Sequence, residues 1–194
     1  MTETSVSLLE RLRLRPDAQS WQRLVDLYTP LIRSWLLRYG LQANDVDDLV
    51  QEVMGILIRE VPNFQHERRT GAFRRWLRGI TVNRLRVFWR SRQGNPQAVG
   101  GTDFGEVLNQ LEDPASGLSR QWDEEHDRHV ARRVLELIEP EFEPETWNAF
   151  RLLVVEGKRT AAVAVELGMT ANAVRIAKSR VLSRLRQEMA GMLE

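Results

Sequence analysis

Cysteine is absent from the 194 residues, which excludes disulfides, thiolate zinc sites and cysteine nucleophiles. No apolar run approaches the ~20 residues needed to cross a bilayer, and the amino terminus lacks the basic-then-apolar pattern of a secretion signal. A cytoplasmic protein with no membrane segment is expected. Net charge is also nearly missing, since 28 Lys and Arg stand against 27 Asp and Glu. The charge is instead arranged in blocks. Asn44 to Val61 is acidic through Asp45, Asp47, Asp48, Glu52 and Glu60, and Gln65 to Arg92 is strongly basic. Gln93 to His129 turns acidic, and the carboxyl-terminal segment returns to basic. Blocks of this kind suit a protein that binds nucleic acid and also docks on a protein, without adhering to every polyanion.

One stretch lacks acidic residues altogether. Gly71 to Arg92 holds Arg74, Arg75, Arg78, Arg84, Arg86, Arg90 and Arg92. On a helix at about 100° per residue, Phe73, Trp76, Leu77, Ile80 and Val87 form one apolar stripe. Arg75, Arg78, Arg86 and Arg90 lie mostly opposite, with Val82 and Trp89 among them and Asn83 at the seam. Guanidinium forks hold phosphates, flat rings stack on unpaired bases, and an amide reads a base edge. The segment therefore fits a strand-separated nucleic acid. An amphipathic helix with a solvated basic face and one stray tryptophan explains the same pattern.

Around this stretch the chain reads as helical throughout. Ser5 to Arg15 is predicted as a short helix stopped by Pro16. A longer one follows from Asp17 to Tyr39, kinked or broken at Pro30 and capped by Gly40. Asn44 is expected to cap a helix from Asp45 to about Arg59 that buries Val46, Leu49, Val50, Val53 and Leu57. Its other side carries Asp45, Asp48, Gln51 and Glu52, either a protein-docking or solvated face or a divalent-metal site. Pro62 to Thr70 reads as a connector, with His66 on its surface. Residues 93–117 have linker composition, and a flexible chain of that length spans roughly 25–30 Å. Ser119 to Ile138 resumes a helical pattern in which His126 and His129 are expected as exposed polar positions. Glu145 to Glu156 follows, with Trp147, Phe150, Leu153 and Val154 turned inward.

The most specific local signal is Thr160 to Arg186. A short alanine-rich helix capped by Thr160, a turn at Gly168, a cap at Thr170 and a longer basic helix describe a helix-turn-helix. Val174, Ala177, Val181 and Leu185 are predicted to face inward. Asn172, Arg175 and Ser179 are the candidate base readers, with Ile176 beside them, while Lys178, Arg180 and Arg184 are placed to hold phosphates. A plain helical hairpin with a basic face is the alternative.

Taken in order, these segments resemble an extracytoplasmic-function sigma factor, group IV of the sigma-70 family of RNA polymerase sigma factors. Asp45-Val46-Asp47-Asp48-Leu49-Val50-Gln51-Glu52-Val53 is similar to the family's D-x-x-D-L-x-Q-E-x segment. Phe73-Arg74-Arg75-Trp76-Leu77, then Ile80 and Asn83-Arg84-Leu85, follow its F-x-x-W-L-x-x-I-x-x-N-x-x pattern. Gly168-Met169-Thr170 and Ala173-Val174-Arg175, continuing as Lys178-Ser179-Arg180, resemble the turn and recognition helix of region 4. The resemblance implies an all-α chain of two small helical domains: region 2 over residues 1–92, a flexible acidic linker over 93–117, and region 4 over 118–194. It implies core RNA polymerase as partner, with Asp45, Asp48, Gln51 and Glu52 on the clamp helices of the largest subunit and region 4 on the flap. It further implies promoter DNA, the −10 element being held by Arg75, Trp76, Arg78, Asn83, Arg86, Trp89 and Arg90. The −35 element would fall to Asn172, Arg175, Ile176, Lys178, Ser179, Arg180 and Arg184. A separate anti-sigma factor is a further implied partner. No catalytic residue, metal or cofactor is implied.

Overall fold

The computed structural model describes residues 7–64, 71–92 and 102–192. The His66 connector, the Gln93 to Gly101 start of the expected linker, and Ser5 and Val6 lie outside those residues. The described residues are helical with no strand. They divide into two compact units, one built on Ser7–Val130 and the other on Ala131–Met189.

In the first unit α1 (Leu8–Leu14) opens on a capping box. The Glu10 N–H donates to Ser7 Oγ at 3.3 Å, and the Ser7 N–H donates back to the Glu10 carboxylate at 3.2 Å, satisfying two otherwise unpaired donors. Helix α2 (Ala18–Leu37) starts in the same economical way, the Ser20 N–H donating to Asp17 at 2.7 Å. The expected break at Pro30 does not occur, and α2 is one uninterrupted element. Leu27, Tyr28, Leu31 and Ile32 are buried on both sides of the proline, and that packing outweighs the missing backbone donor. Helix α3 (Ala43–Glu60) begins before Asn44; its cap is Gln42, with no side-chain bond. The stripe it buries is the expected one, with Met54 added. Helix α3 packs on α2 and on α4 (Ala72–Arg92), and α5 (Thr102–Glu112) packs on α4.

The carboxyl-terminal part of this unit departs from expectation. Most of the described part of the stretch read as a linker is helix α5, and the compact unit continues through it to Val130, well into α6 (Gly117–Ile138). Trp122 stacks on Trp35 and is buried, as is Val130. His126 and His129, expected on the surface, are packed. His126 is fully buried 5.8 Å from the Tyr28 ring, with Nδ1 3.0 Å from Asp127. His129 is half-buried, its Nε2 2.7 Å from the Leu27 carbonyl oxygen.

In the second unit α7 (Pro144–Phe150) runs into a π turn over Arg151–Val155. The wider turn shifts the phase of the helix, so Val154, expected inward, is exposed together with Val155. Helix α8 (Thr160–Leu167) takes Arg159 rather than Thr160 as its cap residue. Gly168 closes it in the left-handed region at φ 63°, a conformation glycine adopts without steric cost. Thr170 Oγ1 then accepts the Ala173 N–H at 3.1 Å and opens α9 (Ala171–Met189). Ala149, Leu152, Val163, Val174 and Ala177 form the core where α7, α8 and α9 meet.

Two outcomes follow from this packing. Trp122→Ala should lower unfolding free energy by about 3–5 kcal/mol in denaturant titration, as removal of a buried aromatic does; no change would mean that its stack on Trp35 contributes nothing. Burial also holds the His126 imidazole below its ordinary value, the contact with Asp127 working against that and the nearby Arg74 with it. The folded chain therefore binds fewer protons than the unfolded chain as pH falls through about 6.5, and stability drops with acidification. His126→Gln should flatten the decline in melting temperature between pH 7 and pH 5.

Candidate nucleic-acid interface

Helix α4 was expected to bury one stripe and offer its arginines to a ligand. It is instead covered on more than one side. Phe73, Leu77, Val82, Leu85 and Trp89 are all buried, while Val87, assigned to the apolar stripe, is 48% exposed. The reason lies in α5 and α6, whose acidic side chains meet α4 on its basic side. Arg78 is only 4% exposed; its Nη1 donates to Asp123 at 2.6 Å and to the Ser119 carbonyl at 3.1 Å. Burial draws its guanidinium below the ordinary value, and Asp123 opposes that. Arg74 bonds Asp127 at 2.6 Å and lies 3.4 Å from Asp123.

Arg86 donates to Glu112 at 2.5 Å, and Trp89 sits with its ring 4.4 Å from Phe104 of α5. The hydrogen bond to Glu112 holds the Arg86 guanidinium above its ordinary value. Arg78, Arg86 and Trp89 thus have partners within the unit. Trp76 is half-buried, stacked on Phe64 at 4.6 Å. Helix α4 leaves Arg75, Asn83, Val87 and Arg90 at the surface, with Ser91 at its end. At about 100° per residue the first four fall on one face, with Gly79 between Arg75 and Asn83. Sequence periodicity missed Val87 on this face, because nothing in the α4 pattern announces a second helix on its basic side.

On α3 the expected docking residues Asp48, Gln51 and Glu52 are exposed, and Asp45 is half-buried. Ile58 extends the same exposed region at 41% exposure. Arg84 approaches Glu52 at 3.9 Å, and Asp47 bonds Arg33 at 2.6 Å. Among the described residues no three His, Cys, Asp or Glu side chains are grouped to hold a metal ion.

In the second unit the outward face of α9 is largely as expected. Asn172, Arg175, Ile176, Lys178, Ser179 and Arg180 are exposed, and Val174, Ala177, Val181 and Leu185 are buried. Arg184 is the exception. It grips Glu141 through two bonds, at 2.6 and 2.9 Å, and Glu188 at 2.8 Å. It joins α9 to the turn before α7. Arg184→Ala should therefore lower the melting temperature, at a cost of about 1–3 kcal/mol, because the buried Glu188 loses a cation. Arg175→Ala and Arg180→Ala, on open surface, should stay within about 0.5 kcal/mol of the parent in the same assay.

Residues 24–94 match the family model for Sigma-70 region 2. No curated protein matched the chain. The matched segment spans α2, α3 and α4 and ends before α5 and α6, so the carboxylates that neutralise Arg74, Arg78 and Arg86 lie outside it. The match shows a segment similar to Sigma-70 region 2 on these helices, over less than half of the chain.

Proposed function

We propose that this chain is a sigma factor of the extracytoplasmic-function group, which joins core RNA polymerase and directs it to the promoters of a regulon of its own. The reading rests above all on one conjunction: a region 2 match over residues 24–94, followed along the chain by a helix-turn-helix whose outward face is polar, basic and exposed. Docking falls to the α3 carboxylates Asp45, Asp48 and Glu52 with Gln51, the clamp helices of the largest polymerase subunit being their counterpart. The −10 element falls to the face of α4 that stays at the surface. There Asn83 offers an amide to a base edge, Arg75 and Arg90 are positioned for phosphates, and the half-buried Trp76 lies at the border.

Binding the −35 element is assigned to α9 through Asn172, Arg175, Ile176, Lys178, Ser179 and Arg180, with this unit also resting on the polymerase flap. Melting draws its energy from stacking and bonding exposed bases, roughly 1–3 kcal/mol per stacked base. No bond is made or broken by this chain. A separate anti-sigma factor is a fitting regulator.

Added to core bacterial RNA polymerase on a genomic template pool, the chain should produce transcripts whose sequenced 5′ ends cluster at discrete starts. Ends scattered as with core enzyme alone would overturn the reading. On a promoter found in this way, Asn83→Ala should slow strand opening, and Arg175→Ala should change the preferred upstream sequence.

A further inference from the structure

The outward face of α9 is not uniformly polar. Its inward positions are Val174, Ala177, Val181 and Leu185, all buried. Directly opposite them run Asn172, Ile176, Ser179 and Ser183, each exposed, as their spacing at about 100° per residue requires. Arg175 borders this column on one side and Arg180 on the other, both exposed. Ile176 thus stands at the centre of the face, 45% exposed, between two flanking cations and one turn beyond Asn172. The packing of the unit makes little use of it, because the α9 residues in the core of α7, α8 and α9 are Val174 and Ala177. A large β-branched apolar side chain among arginines, serines and an asparagine gains nothing from water.

When such a helix enters the major groove, its outward column faces the base edges and its flanks face the two phosphate backbones. Only one base presents an apolar group there, thymine through its 5-methyl. Asparagine, serine and arginine answer the hydrogen-bonding edges; none of them gains from a methyl. We infer that Ile176 is a specificity-determining residue that reads the 5-methyl group of a thymine within the upstream promoter element. The inference rests on the proposed sigma-factor reading, and it adds the chemical group that this position recognises.

The test uses polymerase holoenzyme reconstituted with the full chain, on a promoter obtained from mapped transcript starts. Each thymine of the upstream element, on either strand, is replaced singly by deoxyuridine, which removes the methyl and keeps every hydrogen-bonding group. At one thymine the parent should lose about fourfold in binding, the worth of roughly one buried methyl. Ile176→Ala holoenzyme should bind the thymine and deoxyuridine duplexes at that position equally well. Ile176→Val should keep part of the discrimination.

If no single replacement weakens the parent, the inference is overturned. It is equally overturned if Ile176→Ala discriminates thymine from deoxyuridine as strongly as the parent does. In both cases the sigma-factor reading survives, since start-specific transcription is still seen. Absence of any discrete start with the parent chain would instead sink that reading, and this inference with it.

Discussion

An arginine taken out of water keeps its charge, so it must find a carboxylate or carbonyl where it is buried. Arg78 faces this demand from the middle of α4, and Asp123 and the Ser119 carbonyl of α6 meet it. Once that pair is made, the rest of the first half of α6 is committed. Asp127 falls beside Arg74, Trp122 against Trp35, and Glu125 accepts from both Trp35 Nε1 and Arg38. The same rule acts one step further out, where Glu112 of α5 takes Arg86. The near-zero net charge of the chain is thus partly an internal settlement between α4 and the two helices that follow it.

This settlement divides the surface of α4 by function. One side is structural and already satisfied. The other, carrying Arg75, Asn83, Val87 and Arg90, meets solvent. In the second unit Arg184 plays the part that Arg78 plays in the first, tying α9 to Glu141, while the outward column of α9 is left for a ligand. In the proposed reading, each unit gives up some of its basic residues to hold its reading helix in position.

The parts of the fold that were legible in the sequence are those where one face is apolar and the other solvated. Val46, Leu49, Val50, Val53 and Leu57 of α3, and Val174, Ala177 and Val181 of α9, are buried as their spacing indicates. The turn at Gly168 and the cap at Thr170 were legible too, because there a single residue type answers a single backbone need. The departures fall where polar residues are drawn into ion pairs or hydrogen bonds within the fold. Arg78, His126 and Arg184 have the composition of surface positions, and their partners lie tens of residues away in Asp123, Tyr28 and Glu141. Periodicity ranks residues by hydropathy and cannot tell a guanidinium in water from one matched by a distant carboxylate. Residues 102–112 were misjudged for a different reason: Phe104, Val107, Leu108 and Leu111 do recur at helical spacing, but the glycine-rich run before them gave the whole stretch the look of a linker, and Leu108 and Leu111 are buried.

The Arg78–Asp123 contact also limits how this sequence can drift. Losing Asp123 alone strands the Arg78 charge in a dry place, so a change at Asp123 is expected to be accompanied by one at Arg78 across descendants of this gene. Arg90, facing solvent on the same helix, is under no such mutual obligation. Inheritance would then separate Arg78, bound to an intramolecular partner, from Arg90 further along the same helix.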